Sequence, residues 1–434
     1  MTEPLLTPEE VASVRREYRG ASLLPKRAYH DARYADWERE HILRRDWVMV
    51  GREQDVPEPG TYALVELDGE DIIVVRGRDG ALRAFFNVCR HRGTAVAEEA
   101  CGKVVRFQCP YHAWIYDLDG RLIRAKHTDD LDDFDFERYS LAPIRLDTWQ
   151  GFIFLSLDPD ATPLRDQLGD LVDHWDRFDF TTLRSAHRVE YEVDANWKFI
   201  AENYSECYHC PGVHPQLNKL TPYDLGGDFD PHGAWQGGWM ELVDSAETMS
   251  LGEAAAHGSR SGRPSMAGIT PLDERRIYYY VLWPMAFLSI HPDYLLVHRL
   301  VPDGPDRTRV VCDWLFEAST VATPGFDPSD AVAFWDLTNR QDWHVCELQH
   351  RGTRSSSWVA GRYTDAEASV HAFDQMVVDR YLGEATWSKR IVRERYDVPP
   401  PKPGADVTGD GGNGTDGPVA KDRIAARAKA AAGR

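Results

Sequence analysis

What the chain lacks narrows it first. No apolar run approaches the ~20 residues that a membrane-spanning helix needs. The opening stretch MTEPLLTPEEV has neither the basic nor the apolar region of a secretory signal, so the cytoplasm is the expected location and no membrane partner is expected. Positive charge is short: 50 Lys and Arg stand against 70 Asp and Glu, a net charge of −20. Nucleic acid and anionic membrane surfaces are therefore disfavoured as partners, and a basic face on a protein donor is the better match. Cysteine is sparse, with seven residues at irregular spacing in a chain of 434. That is no disulfide framework and it fits a reducing compartment. No internal repeat is visible, and no dinucleotide-binding glycine fingerprint lies between a strand and a helix, so the chain has no nicotinamide or flavin site of that kind.

Four of the residues that are present carry most of the information. Cys89 and His91 read C-x-H; seventeen residues later Cys109 and His112 read C-x-x-H. Two thiolates and two imidazoles at this spacing match a Rieske [2Fe–2S] centre, in which histidines replace cysteines on one iron and raise the potential. A Cys2His2 zinc site uses the same ligand types. Zinc fingers usually pair Cys with Cys and His with His, however, whereas each arm here supplies one of each. Arg92-Gly93 follows the first arm and Pro110 sits inside the second, the turn chemistry of loops that fold over a cluster.

The length suits two domains. Residues 1–45 read as a helical segment packing on the catalytic domain. From 46 to 157 the pattern is short β segments (TYALVEL, DIIVVRG, LRAFFNV, GFIFLSL) broken by Gly-containing turns. From 158 to 395 longer alternating strands (HRVEYEVDA, RRIYYYVLW, AFLSIHPD, LLVHRLV, RTRVVCDWLFEA) suggest an antiparallel sheet flanked by helical patterns over 195–210 and 328–351. Residues 241–270, rich in Ser, Gly and Ala, read as a loop over the site. Residues 396–434 have the composition of a disordered tail. The fold class expected is α+β.

A second constellation lies in NWKFIAENYSECYHCPGVHP. On a continuous helix Glu202, Glu206 and His209 share one face. Pro211 and Gly212 end that helix, and His214, held by Pro215, turns back towards His209. Two histidines and one carboxylate make the facial triad of non-haem Fe(II) oxygenases, which leaves positions open for O2 and substrate. The carboxylate expected is Asp342, on a helix whose Asn339, Asp342, Cys346 and Gln349 share a face and whose C-cap is Gly352; Asp336 on the same helix is the alternative. Cys207-x-x-Cys210 beside His209 could bind zinc or form a redox disulfide, and both are disfavoured because the two thiols share His209's face only loosely and Pro211 crowds the second.

With both motifs in order, the chain resembles the Rieske non-haem iron oxygenases, the terminal-oxygenase (alpha) subunits of ring-hydroxylating and N-demethylating systems. The resemblance runs from about Leu24 to Gly383. It implies an all-β Rieske domain followed by a catalytic domain of helix-grip (START-like) fold, a [2Fe–2S] cluster, a mononuclear Fe(II), and a homotrimer in which the cluster of one subunit feeds the iron of its neighbour. It also implies a separate flavin- or ferredoxin-type reductase, with O2 and a small molecule as co-substrates. The carboxylate that bridges the two metals' histidines in that family maps onto Glu206, and electrons would pass through His112 and Glu206. Asn203 and Tyr208 would stand just behind the ligands.

Glu at this place, with ECYHCPGVHP and the D-x-x-x-C-E around Asp342, is similar to the branch that oxidises quaternary amines such as glycine betaine; ring-hydroxylation of an arene or aromatic acid is the alternative. A quaternary cation without hydrogen-bond donors is held best by aromatic faces. The residues expected to supply them are Trp235, Trp239 and Tyr280, with Tyr278 and Trp283 beside them. The readings from other classes are a pure electron carrier and a non-catalytic ligand-binding module, and the joint presence of two metal motifs argues against both.

Overall fold

The structure is a computed structural model that describes residues 4–17, 19–252 and 258–384; the expected tail at 396–434 lies outside them. The N-terminal portion is not one helix but four short helical segments, Pro8–Val14, Arg27–His30, Ala32–Glu38 and Arg39–Leu43. The first begins with a capping box between Thr7 and Glu10, which satisfies two otherwise orphaned amides.

A seven-stranded antiparallel sheet follows, in the spatial order Val48–Arg52, Phe152–Ser156, Pro143–Trp149, Leu82–Phe86, Glu70–Arg76, Thr61–Leu67 and Cys101–Lys103. The hairpin between Thr61–Leu67 and Glu70–Arg76 turns on Asp68 and Gly69, both at positive φ (54° and 73°). This two-residue turn matches strand twist, and Asp-Gly adopts it readily. Ile72 to Val75 form an unbroken apolar run because the strand is buried on both faces. Ile72 and Val74 face the large core shared with the rest of the chain, whereas Ile73 and Val75 face a smaller core containing Cys89, Cys109 and Tyr116. A three-stranded sheet, Phe107–Gln108, Ile115–Tyr116 and Leu122–Arg124, completes that smaller core.

The second seven-stranded antiparallel sheet runs Leu183–Val193, Arg307–Glu317, Leu295–Asp303, Ala286–Ile290, Arg276–Leu282, Trp235–Glu241 and Gly226–Asp228. One face packs on the 25-residue helix Ser329–Thr353, through Phe334, Trp335, Trp343 and Cys346 against Leu296, Cys312 and Trp314. The opposite face buries Trp235, Tyr278, Tyr280 and Leu288 against Leu164, Leu171 and Trp175. The architecture is α+β, as expected. The long helix runs one residue past Gly352, so Gly352 is an interior residue and not the cap.

The helix expected over 195–210 spans only Trp197–Tyr204. It is anchored by charge as well as by apolar packing. Lys198, fully buried, donates to Glu38 Oε1 at 2.6 Å, and Trp197 Nε1 donates to Glu38 Oε2 at 2.9 Å. Tyr381 of the helix Ala368–Tyr381 donates to the same carboxylate, and Tyr29 donates to Glu202 Oε1 at 2.6 Å. Among the described residues no helix is long and apolar enough to cross a membrane.

Candidate active site

The break after Tyr204 builds the site. The Glu206 carboxylate accepts from the backbone amides of Tyr208 and, at 3.1 Å, His209, so a side chain takes amides that a continued helix would have bonded internally. A short helical turn, Cys210–Val213, follows and contains the Pro211 and Gly212 expected to stop a helix; Pro215 then opens the next, Pro215–Leu220. The shared helical face expected for Glu202, Glu206 and His209 does not exist. Glu202 turns instead into the core, towards Tyr29, and burial and neighbouring Asp374 push its carboxyl well above its ordinary range.

What the irregular backbone achieves is convergence. His209 Nε2 lies 3.3 Å and His214 Nε2 2.7 Å from the same oxygen, Asp342 Oδ1. The three residues' ligand atoms all lie within 4.8 Å of one another, a set that fits one metal ion of the 2-His-1-carboxylate type. Glu206 Oε1 meets His209 Nδ1 at 2.6 Å, and Gln341 Oε1 meets His214 Nδ1 at 2.8 Å. Each acceptor holds the proton on Nδ1 and presents Nε2 to the centre. Burial would lower the His209 imidazole, but its hydrogen bonds to Asp342 and Glu206 push it up to about 10; burial would raise Asp342, but the two imidazoles hold it down to about 2. Glu206 and Asp342 thus stabilise positive charge on the His209 ring from its two sides, and the Asp342 side, where both Nε2 atoms converge, is where a bound cation would sit. Asp336, the alternative ligand, accepts from Tyr191 at 2.8 Å and pairs with Arg340, and so is committed elsewhere.

The Rieske-type arms lie on loops of the first domain. Cys89 and Cys109 are buried, whereas His91 and His112 are exposed with ring centroids 4.6 Å apart. Gly93, at φ 76°, turns the first loop and returns its amide to the Cys89 carbonyl at 2.9 Å. Tyr116 Oη lies 3.2 Å from Cys89 Sγ, and Trp114 stacks on His91 at 4.7 Å. Sulfurs inside and imidazoles outside form a cradle suited to a cluster whose histidine-bound iron faces outward.

A cavity of about 160 Å³ opens on the triad. Tyr204, Tyr279 and Trp335 are among its wall residues, with Tyr208 and Tyr223 exposed at its rim and Asn203 beside the ligands. Of the five aromatic residues expected at the site, four lie away from the cavity. Trp235 and Tyr280 lie on the opposite face of the sheet, bonded to Asp170 and His174. Trp239 lies at the cavity wall, but its ring packs with that opposite core and already carries the Arg276 guanidinium at 3.6 Å. Tyr278 and Trp283 are core as well. Strand side chains alternate, so a reading one residue out of step selects the wrong face; Tyr279 is the residue that faces the cavity. Nor does the described part of 241–270 line the cavity; that segment packs on Asp293 and Asp330 through Thr248 and Arg263, and the wall is supplied by Tyr223, Gly226–Asp228, Ala366 and Ser369. Cys207 and Cys210 are joined by a disulfide, which the sequence reading disfavoured; the turn brings their Cα atoms within 5.0 Å. Gln341 and Tyr279 were missed: the first adjoins Asp342 in sequence, and the second differs from its neighbours only in register.

Comparison with known proteins agrees with this geometry. Residues 46–135 match the Rieske [2Fe-2S] domain and residues 180–383 the ring hydroxylating alpha subunit catalytic domain. The chain is 31% identical over 387 residues to the glycine betaine monooxygenase oxygenase subunit of Chromohalobacter salexigens, covering 84% of this chain and 87% of that one. It is 36% identical over 339 residues to the carnitine monooxygenase oxygenase subunit of Acinetobacter pittii, covering 77% and 86%. Among solved structures, a quaternary ammonium Rieske monooxygenase in complex with L-carnitine superposes with a TM-score of 0.73 at 26% identity, over 88% of this chain and all of that one.

Proposed function

We propose a reaction that proceeds from one premise: the chain belongs to the Rieske non-haem iron oxygenases. It is an oxygenase component of that family, with a Rieske cluster, a mononuclear iron, a separate reductase and a small-molecule substrate. Our reading is that it hydroxylates, and thereby N-demethylates, a small quaternary ammonium compound such as glycine betaine. The observation that carries it is the aromatic cavity on the triad, where Tyr204, Tyr279 and Trp335 can hold a cation that has no hydrogen to donate. The relatives named for glycine betaine and carnitine support the same class.

In this reading Cys89, His91, Cys109 and His112 hold the cluster, and His209, His214 and Asp342 hold the iron, which supplies activation of O2 when bound. The residues around the iron position it: Glu206 and Gln341 lock the ring tautomers, and the cavity wall keeps bulk water from the reacting methyl group. One O2, two electrons and two protons convert an N-methyl to an N-hydroxymethyl group and water. The hydroxymethyl compound then releases formaldehyde and a proton, leaving a tertiary amine.

Among the described residues, neither cluster loop contributes to the cavity. This supports delivery of electrons from the cluster of a neighbouring subunit, through His112 and Glu206, within a homotrimer. We assign the donor to a flavin- or ferredoxin-type reductase in the cytoplasm, where a basic face would meet this acidic chain.

The test is formaldehyde release by the iron-loaded protein with O2 and a surrogate reductase. Glycine betaine, stachydrine, carnitine and choline are each supplied in turn. Substrate-dependent formaldehyde is expected; none, from protein whose cluster is intact and reducible, rejects demethylation of these amines and leaves the arene reading. Glu206→Gln tests the relay. It keeps the size but weakens the acceptor on His209, and steady-state turnover should fall by about 10–100-fold with both metals retained. Single-turnover transfer from the reduced cluster should slow in parallel, and an unchanged transfer rate would remove Glu206 from the path.

A further inference from the structure

About two turns beyond Asp342, the long helix Ser329–Thr353 brings one residue together with two from other segments. His30 ends the short helix Arg27–His30, Asp306 lies in the turn between the strands Leu295–Asp303 and Arg307–Glu317, and His350 lies near the end of Ser329–Thr353. One ligand atom of each lies within 4.8 Å of the other two. The two imidazole centroids are 4.6 Å apart, with the Phe199 ring packed on both.

The hydrogen bonds settle which nitrogen of His30 is bare. Thr353 Oγ1 lies 2.9 Å from the Gln349 carbonyl and 3.1 Å from that of His350, so its single proton is engaged. It must therefore accept from His30 Nε2, 2.8 Å away, and that leaves His30 Nδ1 as an unprotonated lone pair. His350 Nε2 lies 3.2 Å from Asp306 Oδ1, an acceptor, and 3.3 Å from the Arg354 guanidinium, a donor, so it can serve either tautomer. Nδ1 of both rings is buried with no hydrogen-bond partner, and the His350 side chain is only 6% exposed. Buried orphan nitrogens of this kind call for an occupant. Burial and the neighbouring cations hold His30 down to about 4 and lower His350, so both rings are neutral and ligand-competent at pH 7.

We propose that His30, Asp306 and His350 form a second metal site, a structural clip for a divalent transition cation of the zinc class. Two imidazoles and one carboxylate, with water in the fourth position, suit such an ion, and two nitrogens disfavour calcium or magnesium. The clip ties the N-terminal segment to the catalytic domain at the far end of the iron-bearing helix. Its competitor is Arg354, whose half-exposed guanidinium bonds Asp306 and approaches His350 Nε2 at 3.3 Å. A metal ion would displace it outward.

The probe is Zn2+ alone, equilibrated by dialysis with the full chain carrying an intact cluster and the substitutions His209→Ala and His214→Ala, which silence the iron site. Elemental analysis should find one zinc per chain, and zinc should raise the unfolding temperature. His30→Gln should weaken zinc binding by tenfold or more and abolish the thermal gain. Arg354→Ala removes a cation a few ångströms from the ion and should tighten binding by about tenfold. Because that variant predicts a gain, a misfolded protein cannot mimic it. Absence of bound zinc in the parent background would overturn the proposal, as would zinc whose affinity neither His30→Gln nor Arg354→Ala changes.

Discussion

Asp342→Asn should abolish turnover while leaving the cluster untouched. The substitution is nearly isosteric, but it removes the negative charge on the group where His209 Nε2 and His214 Nε2 both converge, leaving a neutral amide oxygen that is a much weaker ligand. Metal sites of this kind lose about 10–100-fold on disturbance of an outer partner, so loss of a direct ligand should exceed that range. Elemental analysis should find the mononuclear iron gone and the two cluster irons present, and the visible spectrum and reduction of the cluster should match the parent. Asp336→Asn on the same helix is the control, since Asp336 is engaged with Tyr191 and Arg340, and its iron content should be normal. Parental iron and turnover in Asp342→Asn would mean that the third ligand lies elsewhere.

Lys198→Met should be among the most destabilising single changes in the chain. Lys198 is fully buried, and it is the ammonium partner of Glu38, itself buried at 3% exposure. Burial depresses the Lys198 ammonium, and Glu38 opposes that shift. Deleting one partner of such a pair strands the other and costs about 3–5 kcal/mol, whereas replacing both by apolar groups of like size is far milder. Denaturant midpoints should therefore fall for Lys198→Met and recover much of the way when Glu38→Leu is added. Tyr381 and Trp197, which also bond Glu38, limit that recovery. A Lys198→Met midpoint within the range of ordinary surface variants would show that Glu38 simply takes up a proton. The pair matters to function through geometry, because it anchors the helix Trp197–Tyr204 immediately before the turn that carries Glu206 and His209.

The residues legible in the sequence were those whose chemistry is rare and whose spacing is local. The C-x-H and C-x-x-H arms, the pair His209 and His214, and Asp342 on a long helix could be read because few other roles need such residues together. The β segments were legible from alternation and turn residues, and each expected strand appears within a few residues of its place. The aromatic lining of the cavity was not. Trp235, Tyr278 and Tyr280 carry the same composition as Tyr279, and only sheet register assigns one to the cavity and the others to the opposite core. The helix over 195–210 failed for a related reason: its local pattern is helical through His209, and the side chain of Glu206 overrides it by bonding the next amides.

What the sequence determined by itself was the chemistry. Ligand types and their spacing select metals by softness and charge before any fold exists, and they commit the chain to a cluster and an iron site. What only the tertiary structure decided was which groups meet across distance. It placed Gln341 against His214, Tyr279 at the cavity and Glu202 in the core. It also brought His30, from the N-terminal segment, against Asp306 and His350. Such meetings depend on register, on the direction of each side chain and on the burial that excludes water, and those are set by packing over the whole chain rather than by neighbours in sequence.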